Sequence, residues 1–122
     1  MRQMILVVDD EETARRFMDR ALTEEGFQVL LAESGEEALQ LMRASTHKVN
    51  LVITDLVMPG MGGHAFAIEV SRLPSPPPVL YISGYESPRG EAAKQFLQKP
   101  FTTGALIEAV RTLLAAERPF SS

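Results

Sequence analysis

The chain has 122 residues, 45% of them hydrophobic and 23% charged, with 8 glycines and 8 prolines. That is one domain with a single core, and neither a disordered nor a fibrous composition. Twelve basic against 16 acidic residues leave a net charge of −4, which argues against nonspecific nucleic-acid binding, and the absence of cysteine excludes disulfides and thiolate metal sites.

Residues 4–8, "MILVV", form an unbroken apolar run, as expected of a strand covered on both faces. Four carboxylates follow at once: Asp9, Asp10, Glu11 and Glu12. Ala14, Phe17, Met18, Ala21 and Leu22 then recur at helical spacing and predict an inward face. Glu11 and Glu12 are expected to be solvated charges of that helix's first turn. Gly26 suits the left-handed position that stops such a helix. "FQVLLA" (27–32) predicts a second strand. Ser34 and Glu37 make a capping box for a second helix with Ala38, Leu41 and Met42 inward.

"VNLVITD" predicts a third strand, the loop "LVMPGMGG" follows, and a third helix is expected from His64 to Leu73 with Phe66 and Val70 inward. "PSPPP" is a stiff connector to a fourth strand, "VLYIS" (79–83), and "FLQKP" (96–100) is a short fifth. Thr102 caps a last helix carrying Leu106, Ala109, Val110, Leu113 and Leu114 inward. Strands alternating with helices predict right-handed crossovers and a mostly parallel, doubly wound α/β sheet. Residues 1–118 read as the domain and 119–122 as a C-terminal tail. No apolar run approaches membrane-spanning length, so a soluble cytoplasmic domain is expected.

Ligands of such sheets sit beyond the carboxyl ends of the strands. Asp9 and Asp10 end the first strand, Asp55 the third, Ser83 the fourth and Lys99 the fifth. Alone, each has an ordinary explanation: a helix cap, a turn residue, a strand-end hydroxyl, a solvated cation. Together they gather three carboxylates, a hydroxyl and an ammonium on one rim. Close carboxylates repel unless a cation intervenes, and Mg²⁺, which takes hard oxygen ligands, suits the gap. Such a set would hold a phosphoryl group with its nucleophile and counter-ion. His47 and His64 have no partner at metal-ligand spacing.

"ILVVDDEE", "VITDLVMPGMGG", "YISG" and "FLQKPF", in this order over an α/β pattern, resemble the response-regulator receiver domain, most of all receivers attached to hybrid sensor kinases. The resemblance covers nearly the whole chain. It implies a flavodoxin-like five-stranded (βα)5 fold with strand order 2-1-3-4-5. It further implies Asp55 as phosphoacceptor and Mg²⁺ held by Asp9, Asp10, Asp55 and the Val57 carbonyl, with Asp10 the more direct ligand. Lys99 and Ser83 would engage the phosphoryl group, Phe96 would be the aromatic switch, and Pro100 would follow a cis peptide. The phosphodonor partner would be a histidine kinase or a histidine phosphotransfer protein, with no direct nucleic-acid or membrane contact. The resemblance implies a signalling module with self-phosphotransfer and self-dephosphorylation rather than a conventional enzyme.

The sequence departs from the pattern between Ser83 and Lys99. Pro88 and Gly90 interrupt that short segment, so the fourth helix is expected to be shortened or replaced by a loop. The dimer face usually made by that helix, the fifth strand and the last helix is correspondingly not expected. Val57 and Tyr85 flank the expected route of attacking water and predict slow loss of the phosphoryl group. Two other readings compete. A pseudo-receiver would have lost the acceptor, an acidic ligand or the lysine, and all are present. A Mg²⁺-dependent aspartyl-phosphate phosphatase would want an acid at position 57 and a cap domain.

Overall fold

The structure, a computed structural model, describes residues 2–46, 48–84 and 95–116. In chain order the elements are β1 (Met4–Val8), α1 (Glu12–Glu24), β2 (Gln28–Ala32), α2 (Gly35–Ala44), β3 (Leu51–Asp55), α3 (Gly63–Ser71), β4 (Val79–Ser83), β5 (Phe96–Gln98) and α4 (Thr103–Ala116). The five strands are all parallel, in the order β2-β1-β3-β4-β5. This is the doubly wound, flavodoxin-like sheet that the sequence predicts. The expectation of a shortened fourth helix falls on residues 85–94, outside the described residues, as does Tyr85.

Alternation along the central strands divides the core into two layers. Ile5, Val7, Leu51, Ile53, Leu80 and Ile82 face one side and pack with Met18, Leu22, Leu106 and Val110, so α1 and α4 cover that face. Leu6, Val8 and Val52 point the other way and meet Ala38, Leu39, Phe66 and Val70 from α2 and α3. Every residue of β1 and β3 is buried, which is why β1 reads as an unbroken apolar run and β3 opens on Leu51, Val52 and Ile53.

Local signals set most of the ends. Gly26 adopts φ 95 and its N–H bonds to the Thr23 carbonyl at 3.0 Å, closing α1. Ser34 Oγ accepts from Glu37 N at 3.1 Å. In return Glu37 Oε1 accepts from Glu33 N at 2.7 Å rather than from Ser34 N, a displaced form of the expected capping box. Thr102 Oγ1 accepts from Ala105 N at 3.0 Å and caps α4. β3 begins two residues later than expected because Asn50 is occupied with β1: its Oδ1 accepts from Met4 N and its N–H donates to Met4 O, both at 2.8 Å.

Two inward faces differ from expectation. Phe17 is 39% exposed and leans on Phe101, ring centroids 5.8 Å apart, instead of entering the core. In α2, Leu39 is buried, while Leu41 and Met42 are only half-buried. A helix lying along a sheet buries the arc set by its tilt, which periodicity does not supply.

Candidate functional site

Residues from β1, β3, β4 and the turn after β5 meet at the carboxyl edge of the sheet. Asp9 leaves β1 still tied to the sheet, its N–H donating to Ala32 O at 3.1 Å, and it is fully buried. Its Oδ1 accepts from Glu11 N at 2.9 Å, so the side chain braces the entry to α1. Glu11, the N-cap residue, makes no side-chain cap of its own, and its carboxylate turns toward Lys99 instead.

Asp55 closes β3 and is 6% exposed. Both its carboxylate oxygens are held: Oδ1 accepts from Val57 N at 3.0 Å and Oδ2 from Lys99 Nζ at 2.8 Å. The loop that follows is pinned by Leu56 N to Ile82 O and by Gly63 N to Leu56 O, each 3.0 Å. Gly60, at φ 76, makes its turn. A Cβ at Gly63 would stand 2.3 Å from Asp55 O and 2.8 Å from Leu56 Cα, so only glycine lets α3 start this close to the loop.

Ser83, fully buried, ends β4, and its carbonyl accepts from Lys99 N at 2.9 Å. That bond fixes the backbone from which the lysine reaches across the edge. The Lys99–Pro100 peptide is cis, as the resemblance implied. Lys99 Nζ then lies 2.8 Å from Asp55 Oδ2, 2.9 Å from Asp9 Oδ2 and 2.9 Å from Glu11 Oε1. Burial alone would lower the lysine's pKa, but the Asp55, Asp9 and Glu11 carboxylates outweigh it and raise it above the ordinary value. Asp9 is pushed up, chiefly by burial and further by Asp55, against the opposing pull of Lys99 and the Glu11 N–H.

Carboxylate oxygens of Asp9, Glu11 and Asp55 all lie within 4.8 Å of one another. Asp9 Oδ2 is buried, and although Lys99 is near enough to attract it, no hydrogen bond is directed at it. A buried, incompletely satisfied oxygen among hard carboxylate donors fits a divalent cation of the Mg²⁺ kind. Of the expected residues, the structure brings Asp9, Asp55 and Lys99 into direct contact and puts Ser83 beside them. Asp10 is exposed and stands outside the three converging carboxylates. Val57 is 46% exposed. Phe96 is half-buried and registers with Tyr81 across the β4–β5 pair.

Glu11, expected as a solvated first-turn charge, remains largely exposed yet pairs with Lys99. The sequence signal for this is its place one residue before the helix proper, where a side chain not used for capping is free to turn back. Gly63, the second glycine of "MGG", carries no chemical signal of its own.

A doubly wound sheet with acidic residues and a lysine at its switch edge defines a class of phosphoryl-handling α/β domains. The family model for the response regulator receiver domain matches residues 5–111, and the chain belongs to that family of two-component signalling domains. Transcriptional regulatory protein GlrR of Escherichia coli is 35% identical over 121 residues, covering 94% of this chain and 27% of that protein. Sensor kinase CckA of Brucella abortus is 33% identical over 116 residues, covering 90% of this chain and 12% of that protein. The chain therefore spans only a small part of these relatives. Among solved structures, a response regulator receiver domain protein from Clostridium thermocellum superposes with TM-score 0.84 at 26% identity, covering 98% of this chain and 99% of that one. The receiver domain of the hybrid histidine kinase CckA gives 0.80 at 35% identity, covering 91% and 98%. No helix among the described residues is long and apolar enough to cross a membrane.

Proposed function

We propose that this domain accepts a phosphoryl group on Asp55 from a phosphohistidine and switches conformation in response. The observation that carries the reading is the Asp55 carboxylate, nearly buried, fixed at one oxygen by Val57 N–H and at the other by the Lys99 ammonium. An oriented nucleophile beside a cation is what in-line phosphoryl transfer requires. An Asp55 oxygen would attack phosphorus to form the acyl phosphate as the phosphorus–nitrogen bond to histidine breaks, and the imidazole keeps that electron pair. Mg²⁺, held by Asp9, Asp10, Asp55 and the Val57 carbonyl, with Glu11 at hand, would neutralise charge on the transferring group.

Lys99 follows the new phosphoryl oxygens, and the Ser83 hydroxyl donates to one of them. Movement of Ser83 then frees Phe96, two strand positions from its neighbour Gln98, to turn inward. The added charge biases two conformations of the edge. The donor is a histidine kinase or histidine phosphotransfer protein in the cytoplasm. The 35% likeness to a hybrid kinase receiver supports that choice. The test is incubation with a small phosphodonor and Mg²⁺, read by intact mass. Wild type should gain one phosphoryl group and Asp55→Asn none. An unmodified wild type would leave a pseudo-receiver, acting by binding alone.

A further inference from the structure

α1 carries three arginines, and two of them are used conventionally. Arg16 pairs with Glu12 and Arg20 with Glu24, both exposed pairs one helical turn apart. Arg15 is different. It is half-buried, forms no ion pair among the described residues, and directs Nη1 at the backbone carbonyl of Asp9, 2.7 Å away. That oxygen belongs to the peptide joining Asp9 to Asp10, so the guanidinium fixes the rotation of the link between the two acidic residues.

The placement is electrostatically awkward twice over. A cation in the first turns of a helix opposes the helix dipole. A cation beside a cluster of carboxylates also competes by simple Coulomb repulsion with any metal ion that the cluster takes. A short charge-assisted bond to a carbonyl is the return for both. Asp9 is then held at every polar backbone point: N–H by Ala32 O, carbonyl by Arg15, with Oδ1 against Glu11 N. Only Oδ2 is left without a directed hydrogen bond, and it faces the cluster.

We infer that Arg15 is a positioning residue for divalent-cation binding, acting through the Asp9–Asp10 peptide to set how the acidic turn presents its oxygens. This rests on the reading that the cluster takes Mg²⁺. Charge and positioning predict opposite signs. If Arg15 were only a nearby charge, removing it would tighten Mg²⁺ binding. If it positions the turn, removing it weakens binding despite the more favourable charge.

The test is direct Mg²⁺ titration by calorimetry, with amide shifts of residues 9–11 and 55–57 followed in parallel, and no phosphodonor present. Arg15→Met, which keeps the apolar stem, should raise the dissociation constant by about tenfold. Arg15→Lys, with a shorter cationic donor, should fall between it and wild type. Arg16→Met removes a neighbouring charge without touching Asp9 and should leave binding unchanged or slightly tighter. Binding by Arg15→Met as tight as wild type, or tighter, overturns the inference, as does a wild type that binds no Mg²⁺. Should the methionine variant not fold, Arg15→Gln, too short to span the same gap, decides by the same criterion. A wild type that binds Mg²⁺ but accepts no phosphate would sink the proposed function and leave Arg15's role standing.

Discussion

Lys99 Nζ and Asp55 Oδ2 lie 2.8 Å apart although 44 positions separate them in the chain. The same ammonium also stands 2.9 Å from Asp9 Oδ2 and 2.9 Å from Glu11 Oε1. One lysine, 18% exposed at its side chain, thus holds three carboxylates at the mouth of the sheet. The resting fold and the site's chemistry depend on the same cation.

Lys99→Met should therefore destabilise the domain by about 3 kcal/mol, because it leaves partly buried carboxylates facing one another. Mg²⁺ should recover part of this loss by binding only the folded state. The pH dependence has a definite sign. The lysine's folded pKa lies above its ordinary 10.5, so its contribution is complete below that value and is lost as pH rises beyond it. The variant lacks that alkaline loss and instead gains stability on mild acidification, as Asp9, whose pKa burial already raises, takes up a proton. Denaturant unfolding across pH, with and without Mg²⁺, checks all three statements.

Asp9→Asn should separate stability from cation binding. Burial raises the Asp9 pKa above its ordinary 3.8, so the folded state holds that proton more tightly than the unfolded state does. Ionising Asp9 therefore costs stability, and the cost is complete above the raised pKa. The neutral amide removes that cost, so the variant should be more stable than wild type near neutral pH, seen as a higher melting temperature. The advantage should shrink as pH falls toward 3.8. Mg²⁺ affinity should fall in the same variant. Thermal melts and Mg²⁺ titration across that pH range are the measurements.

Gly63→Ala should cost about 3 kcal/mol, because the new methyl would meet backbone, Asp55 O and Leu56 Cα, which has no rotamer to give. Gly62→Ala is the control. Its Cβ would meet only Leu56 O at 3.5 Å, an ordinary contact, and its φ of −73 suits any residue. It should cost no more than about 1 kcal/mol. Equal losses in the two variants would show that the close approach of α3 to the loop after β3 is not what matters.

Val57→Asn should hasten decay of the phosphorylated domain by about tenfold, since a polar side chain at this exposed position next to Asp55 would orient water where an aliphatic one does not. Loss of the phosphoryl mass with time, followed after removal of the donor, reads it. Rapid decay of wild type, unchanged in the variant, would count against the tuning role.

Strand and helix order was legible in the sequence wherever the physical cause is local. The apolar run of β1, the Gly26 stop, and the Ser34 and Thr102 caps all act over a few residues and stand where expected, while β3 starts two residues late. Asp55, Ser83 and Lys99 were legible because the first two end strands and the third directly follows one, and parallel strands deliver their ends to one edge. Phe17 shows the limit. Its spacing placed it on the apolar stripe, but in the fold it stays exposed and lies against Phe101.

What the sequence by itself determined was which residues reach the carboxyl edge. What only the tertiary structure decided was which of them touch. Glu11 and Lys99 are 88 positions apart, and Asp10 and Glu11 are adjacent, yet Glu11 meets the lysine and Asp10 faces solvent. That choice depends on how one turn is rotated by the Glu11 N–H to Asp9 Oδ1 bond and the Arg15 bond to the Asp9 carbonyl. It also depends on the backbone bond that sets Lys99 against Ser83. Periodicity carries no information about such rotations, because they are fixed by hydrogen bonds that exist only once distant strands lie side by side.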